Sequence, residues 1–236
     1  MAALFCFASN EKPCAIFAQF ISIQFLGKGE WMMTLLLFVL LGYVSGSVLY
    51  ARVFAKLLGK GDICENSKDH NPGATNAFQN GGFWCGTLTL ICDILKGFLP
   101  VALYLAFCKY EDYPASGLAF VLAAPVIGHN FPLIYRGKGG KGICATFGCL
   151  LGLLPEWQPV AILVVFFIFF STVLRITPHY HRTLMSYGCT LVGVLCLVES
   201  FDIRLGFAII TAAVCTRLLM SQEEKDKMEV ELLWMH

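Results

Sequence analysis

Long apolar runs, separated by short polar segments, leave this chain few ways to fold. Stretches near residues 33–55, 83–107, 115–135, 142–155, 159–174, 184–199 and 203–220 are rich in Leu, Val, Ile, Phe and Gly and carry few charges. A helix needs about 20 mostly apolar residues to cross a bilayer. Hydrocarbon also forces every backbone polar group to find its partner inside the protein. The runs therefore predict an all-α, polytopic transmembrane helical bundle of about seven spans. The fourth run is short enough to be re-entrant. Only 14% of the 236 residues are charged, against about a quarter in a soluble domain. One bundle over residues 32–221 uses up the apolar runs, leaving an N-terminal extension at 1–31 and a charged tail at 222–236.

Cationic side chains set the expected orientation. Lys56, Lys60, Lys68, Arg136, Lys138, Lys141, Arg175 and Arg182 fall on one side of the seven spans, Lys109 and Arg204 on the other. Cytoplasmic loops carry the excess of Lys and Arg. The N-terminus is thus expected outside and the C-terminus in the cytoplasm. Residues 1–31 hold an apolar stretch, Ile16 to Leu26, without a charged leader region, which makes a poor signal peptide. Met32 and Met33 directly precede the first span, and Gly27-Lys28-Gly29-Glu30 can be encoded by a purine-rich string like a bacterial ribosome-binding site. The expectation is that residues 1–31 reflect the choice of start site.

A net charge of +1 gives no footing for nucleic acid. The 11 cysteines fall mostly inside apolar runs and form no Cys-x-x-Cys pair. They read as small packing residues, with no metal site and no cofactor implied.

Two polar segments break the apolar pattern: Asn71-Pro72-Gly73-Ala74-Thr75-Asn76 and Lys138-Gly139-Gly140-Lys141-Gly142. Both place glycines and side-chain donors at the mouths of apolar helices. Glycine lets backbone approach an anion closely, and helix N-termini carry partial positive charge. Phosphate suits both. An ordinary Asn-Pro-Gly turn and simple charge anchoring are the plainer alternatives. Asp93 and Lys96 lie inside a span, three residues apart on one helix face. They read either as a neutralising pair or as a Lys96 that meets a substrate phosphate with Asp93 orienting it. His129, next to Asn130 and ahead of Phe131-Pro132, can donate to a phosphate or brace the loop. Gly42 and Gly46 suit close helix packing, while Ser47 can turn its hydroxyl to a polar site. His179-Tyr180-His181-Arg182 has no nearby acid or cysteine and reads as cytoplasmic loop charge. No His-x4-Asp pair, Gly-x-Ser-x-Gly elbow or Walker pattern is present.

In order, these motifs resemble those of the PlsY-type acyl-phosphate:glycerol-3-phosphate acyltransferases, over roughly residues 33–220. Gly46-Ser47 through Leu57-Leu58-Gly59-Lys60 and Asp62-Ile63 resembles the first motif, and Asn71 to Asn76 the second. Asp93-Ile94-Leu95-Lys96-Gly97 resembles the Asp-x-x-Lys-Gly helix. Gly128-His129-Asn130-Phe131-Pro132 with Lys138 to Gly142 resembles the third motif. The resemblance implies a seven-helix bundle in a bacterial cell membrane, with a site facing the cytoplasm. It implies transfer of a fatty acyl group from acyl phosphate to the sn-1 hydroxyl of glycerol 3-phosphate, giving lysophosphatidic acid and phosphate without a cofactor. It implies catalytic roles for Ser47, Lys96 and His129. Asn71, Gly73, Thr75, Asn76, Lys138, Gly139, Gly140 and Lys141 would hold phosphate.

The chain also departs from that pattern. Asp62-Ile63-Cys64 stands where the family has Asp-Ile-Arg, and Ala145-Thr146-Phe147 where it has Ala-Thr-Ser. Thr211 and Val214 stand where a C-terminal His and Asn are expected. The departures keep a second expectation open: a non-catalytic paralogue that senses acyl phosphate or lysolipid. A small anion transporter fits less well, because both polar segments fall on one side of the membrane.

Overall fold

The computed structural model describes residues 30–65, 67, 71–111, 115–221 and 226–232. Most of the start-site expectation for residues 1–31 therefore lies outside the described residues. In chain order the elements are α1 (Glu30–Ser47), α2 (Tyr50–Leu57), α3 (Ala74–Gly81), α4 (Phe83–Tyr110) and α5 (Leu118–Asn130). A 3-10 turn (Leu133–Tyr135) leads to α6 (Ile143–Leu151) and α7 (Gln158–Ile168). A π-helical turn (Phe169–Val173), β1 (Leu174–Thr177), α8 (His179–Leu197), α9 (Phe201–Met220) and β2 (Glu229–Leu232) complete the fold.

Each apolar run expected to span is helical. Among the described residues, three helical stretches are long and apolar enough to cross a bilayer: Phe83–Tyr110, Leu118–Tyr135 and Phe201–Met220. The pair α1–α2, bent by 44° at Val48-Leu49, makes a fourth if taken as one broken span. Helix α6 has nine residues, about 14 Å at the α-helical rise, which is too short to cross alone. The surface confirms the setting. Leu36, Leu37, Leu40, Leu41 and Val44 of α1 are exposed, as are Val192, Leu195 and Leu197 of α8, while Asp93, Lys96, His129 and Asn130 are buried. Apolar outside and ionisable inside is the arrangement a bilayer selects.

Helix α5 is the axis of the bundle, packed between α1 and α9. Close approach comes from reciprocal glycines. A Cβ on Gly42 would crowd Ala124 and Pro125, one on Gly46 would run into the Pro125 carbonyl, and one on Gly128 would strike the Tyr43 carbonyl. The small residues noted in the sequence do serve helix packing. The pair α4–α6 repeats the device: a Cβ on Gly97 would meet the Ala145 carbonyl, and one on Gly148 the Ile94 carbonyl. Helix α5 begins after Gly117, whose φ of 82° suits glycine. Asp202 of α9 accepts the Gly117 N–H at 3.2 Å there, placing an acid at a positive helix end.

Two features depart from expectation. The bundle carries a two-stranded antiparallel sheet, β1 with β2, pairing Leu174 with Leu232 and Thr177 with Glu229. Part of the charged tail thus folds back onto the segment that leads into α8. Helix α8 also starts at His179, five residues before the expected span boundary. The reading of His179–Arg182 as loop charge is corrected: the segment is the first turn of a helix.

Candidate active site

The break between α1 and α2 releases backbone carbonyls from helical bonding, and Lys96 uses one of them. Its Nζ donates to the Val48 carbonyl at 2.7 Å. It lies 2.8 Å from Asp93 Oδ1 and 2.7 Å from His129 Nδ1, with the Tyr50 ring centroid at 5.6 Å. Ser45 Oγ donates to the Lys96 carbonyl. An ammonium has three donors, and here all three are engaged inside the protein. Because the ammonium donates, His129 Nδ1 accepts and the ring proton belongs on Nε2. Asp93, Lys96 and His129 thus form one buried cluster.

Above this cluster lies a cavity of about 500 Å³ lined by residues far apart in sequence. One wall is Asn71, Gly73, Ala74, Thr75 and Asn76, where α3 begins. The Asn71 carbonyl accepts from Gly73 N at 2.9 Å and from Asn76 Nδ2 at 2.8 Å, which closes the Asn-Pro-Gly turn. A second wall is Lys141, Gly142, Ile143 and Cys144, where α6 begins. Gly142 adopts φ 77°, a conformation that favours glycine. A third wall is Pro178, His179 and Arg182, where α8 begins. Asp93 and His129 reach the cavity from the buried cluster, and Phe167 of α7 adds an apolar face. Three helix N-termini therefore point at one space. Each carries unsatisfied N–H groups and partial positive charge.

The structure brings Asn71, Gly73, Thr75, Asn76, His129 and Lys141 together on this cavity. Lys96 sits behind it, bonded to His129. Gly139 and Gly140 lie outside the lining and pack on His129: Gly140 N donates to the His129 carbonyl at 3.0 Å, and a Cβ on Gly140 would collide with His129 Nε2. The Gly139 carbonyl accepts from Arg217 Nη2 near the end of α9. Lys138 is exposed. Ser47 is buried and donates to the Tyr43 carbonyl one turn back at 2.8 Å.

Sequence reasoning passed over His179, Arg182, Gln79, Cys144 and Phe167 as lining residues. The His-x-His pair is split. His179 Nδ1 lies 2.7 Å from Arg182 Nη2, whereas His181 Nε2 lies 2.9 Å from the Asp226 carbonyl. At the altered first motif, the Asp62 carboxylate accepts Cys64 N–H at 2.8 Å. Burial pushes the Cys64 thiol up to about 11, against the lowering pull of Arg52. Thr211 donates to the Phe207 carbonyl and Val214 is buried.

Comparison with known proteins agrees with this architecture. The family model described as Glycerol-3-phosphate acyltransferase matches residues 36–227. A glycerol-3-phosphate acyltransferase of Actinobacillus pleuropneumoniae is 42% identical over 120 residues, covering 51% of this chain and 59% of the relative. One from Endomicrobium trichonymphae is 37% identical over 135 residues, covering 57% and 65%. The matched stretch thus spans less than two thirds of each relative's length. The crystal structure of PlsY (YgiH), an integral membrane glycerol 3-phosphate acyltransferase, in its glycerol 3-phosphate form, shares the fold with a TM-score of 0.66. That likeness holds at 24% identity over 79% of this chain and 89% of the other. The lysophosphatidic acid form of the same protein gives a TM-score of 0.61. With the family match extending over most of its length, this chain is a member of the glycerol-3-phosphate acyltransferase family.

Proposed function

We propose that the protein transfers a fatty acyl group from acyl phosphate to the sn-1 hydroxyl of glycerol 3-phosphate, giving lysophosphatidic acid and inorganic phosphate. The observation that carries this reading is the cavity where α3, α6 and α8 begin. A site built from three helix N-termini suits a reaction in which both substrates carry phosphate. An acyl phosphate is already activated, so the protein needs chiefly to orient the reactants and stabilise charge. The glycerol hydroxyl forms the new bond to the acyl carbon, the bond from that carbon to the phosphate oxygen breaks, and the departing phosphate takes the hydroxyl proton.

In this reading Asn71, Gly73, Thr75 and Asn76 bind one phosphate through the α3 terminus, with Lys141 from the α6 side. His129 donates from Nε2 as charge develops, and Lys96 acts through His129 by fixing its tautomer. Gly139 and Gly140 position His129, Ser47 secures the end of α1, and Lys138 draws anionic substrate and lipid to the rim. The chain crosses the membrane about seven times, N-terminus outside, with the cavity facing the cytoplasm. One observation favours the alternative of a non-catalytic acyl-phosphate or lysolipid sensor: the filled coordination of Lys96. Donor choice tests the proposal. Purified protein in lipid receives labelled glycerol 3-phosphate with either palmitoyl phosphate or palmitoyl-CoA. Lysophosphatidic acid from palmitoyl phosphate alone is the expected result; product from the CoA thioester, or none from either donor, overturns it.

A further inference from the structure

The cavity wall at the start of α6 has no side-chain cap. Its N-cap residue is Gly142, which offers no side chain to bond the amides of the first turn. The Gly142 carbonyl instead accepts twice from Thr146, from N at 2.8 Å and from Oγ1 at 2.9 Å. That spends the one proton of the Thr146 hydroxyl. The same hydroxyl accepts from Tyr187 OH at 2.9 Å, 41 residues away on α8. From Tyr187 through Thr146 to Gly142 the bonds run in one direction and end on a residue of the cavity lining. Tyr187 and Thr146 are fully buried, where low dielectric strengthens a satisfied hydrogen bond. The Tyr187 ring is fixed by its neighbours: stacked on Phe207 of α9 at 6.1 Å and edge-on to Phe167 of α7 at 6.0 Å. Phe167 itself lines the cavity. Helix α6 packs chiefly on α4 and α5, whereas α8 packs chiefly on α7 and α9. The bond from Tyr187 thus ties together two walls that rest on different neighbours.

Resting on the acyl-transfer reading, we infer that Tyr187 is a positioning residue of the reaction, which through Thr146 holds the Gly142–Ile143 wall in register with the start of α8. Tyr187 lies behind the lining and acts only through Thr146. Register matters because the walls must hold two reactants in an attacking geometry, and a misplacement of about 1 Å costs about 10²-fold in rate. The sequence hides this role, since a tyrosine within an apolar run reads as core. The structure separates the two parts of the side chain: the ring packs, and the hydroxyl reaches across to another helix.

The test uses full-length protein in lipid bilayers, as wild type, Tyr187→Phe, Thr146→Val, the double variant and Thr146→Ser. Thermal unfolding is followed beside kcat for acyl transfer from palmitoyl phosphate to glycerol 3-phosphate. Tyr187→Phe keeps the ring and removes the tie, and kcat is expected to fall about tenfold. Thr146→Val should fall as far, and the double variant no further, because one bond is lost in all three. Thr146→Ser keeps the hydroxyl and should stay within about twofold of wild type. Stability should follow a different order: Thr146→Val strands the buried Tyr187 hydroxyl and lowers the unfolding temperature, and the double variant regains it. A merely structural tie predicts instead that kcat recovers with stability in the double variant. That recovery, an unchanged kcat in Tyr187→Phe, or additive losses overturn the inference. Thr190→Val is the control, since the Thr190 hydroxyl is buried on the same helix and donates to the Ser186 carbonyl; an equal fall there also overturns it. Equilibrium titration with glycerol 3-phosphate and with a palmitoyl phosphonate separates this inference from the acyl-transfer reading. If wild type binds but does not turn over, the reading fails. The inference then stands on binding of either probe weakened about fivefold by both Tyr187→Phe and Thr146→Val, and falls if neither variant weakens it.

Discussion

Nζ of Lys96 lies 2.7 Å from Nδ1 of His129, although the residues sit on different helices. The contact sets the proton of the imidazole on Nε2 and so decides what His129 can do at the cavity. Glutamine places an amide donor near the Nε2 position, whereas asparagine mimics Nδ1. His129→Gln is expected to retain more activity than His129→Asn, which should lose about 10²–10³ in kcat, the scale of one lost charge-stabilising donor. Steady-state rates in lipid check the order of the two variants; the reverse order would show that Nε2 is not the working nitrogen.

Removing Lys96 strands Asp93 in the buried cluster, where both side chains are at most 2% exposed. Breaking such a pair costs about 3–5 kcal/mol. Lys96→Met is therefore expected to abolish turnover and lower thermal stability. The double variant Lys96→Met/Asp93→Asn should regain stability but not activity. Thermal unfolding in detergent alongside the rate assay separates the two effects. Full activity in either variant removes Lys96 from the mechanism.

Gly148 faces the Ile94 carbonyl so closely that a Cβ cannot fit. Gly148→Ala is expected to force α4 and α6 apart at a cost of about 1–3 kcal/mol. Gly188, with nothing within 4 Å of its Cβ direction, is the matched control, and Gly188→Ala should leave the unfolding temperature unchanged or raise it.

Such packing glycines were half legible in the sequence, because Gly42 and Gly46 recur at helical spacing whereas Gly97 and Gly148 do not announce their partnership. The apolar runs, the Asn71–Asn76 turn and the Asp93/Lys96 face were legible for the same reason: local spacing carries them. The start of α8 was not. Its first turn is polar, and what defines it is Pro178 together with a strand pairing to residues more than fifty positions away. Arg182 was consequently assigned to a loop. The contact of Arg217 with the Gly139 carbonyl, 78 residues distant, also has no local signature. Ser47 shows the opposite limit: its hydroxyl satisfies its own helix, a common outcome for serine that spacing does not distinguish from a binding role.

Cys64 gives a pH-dependent prediction. Burial raises its thiol from the ordinary 9.0 to about 11, so the folded state favours the neutral form. Its contribution to stability is fully present below pH 9 and is lost as pH rises towards about 11. The unfolding temperature of wild type should fall more steeply across that window than that of Cys64→Ala. At neutral pH, Cys64 should also resist maleimide in the folded protein. Parallel pH profiles, or rapid labelling at neutral pH, would contradict this.

Strand β2 braces the segment leading into α8, with Arg175 and Glu231 3.8 Å apart across the pair. A variant lacking residues 222–236 is expected to fold and insert normally. Its KM for one substrate should rise about fivefold, equivalent to roughly 1 kcal/mol, with kcat nearly unchanged. An unaltered KM would show that the strand pair does not support the cavity.

Phosphorus NMR of one sample follows donor, acceptor and both products at once. Purified wild-type protein in lipid is mixed with palmitoyl phosphate and glycerol 3-phosphate, and all four phosphorus species are followed together. Both substrates are expected to fall in equal amounts as lysophosphatidic acid and inorganic phosphate appear. Phosphate released without lysophosphatidic acid, or substrates that bind and stay intact, would contradict acyl transfer at this cavity.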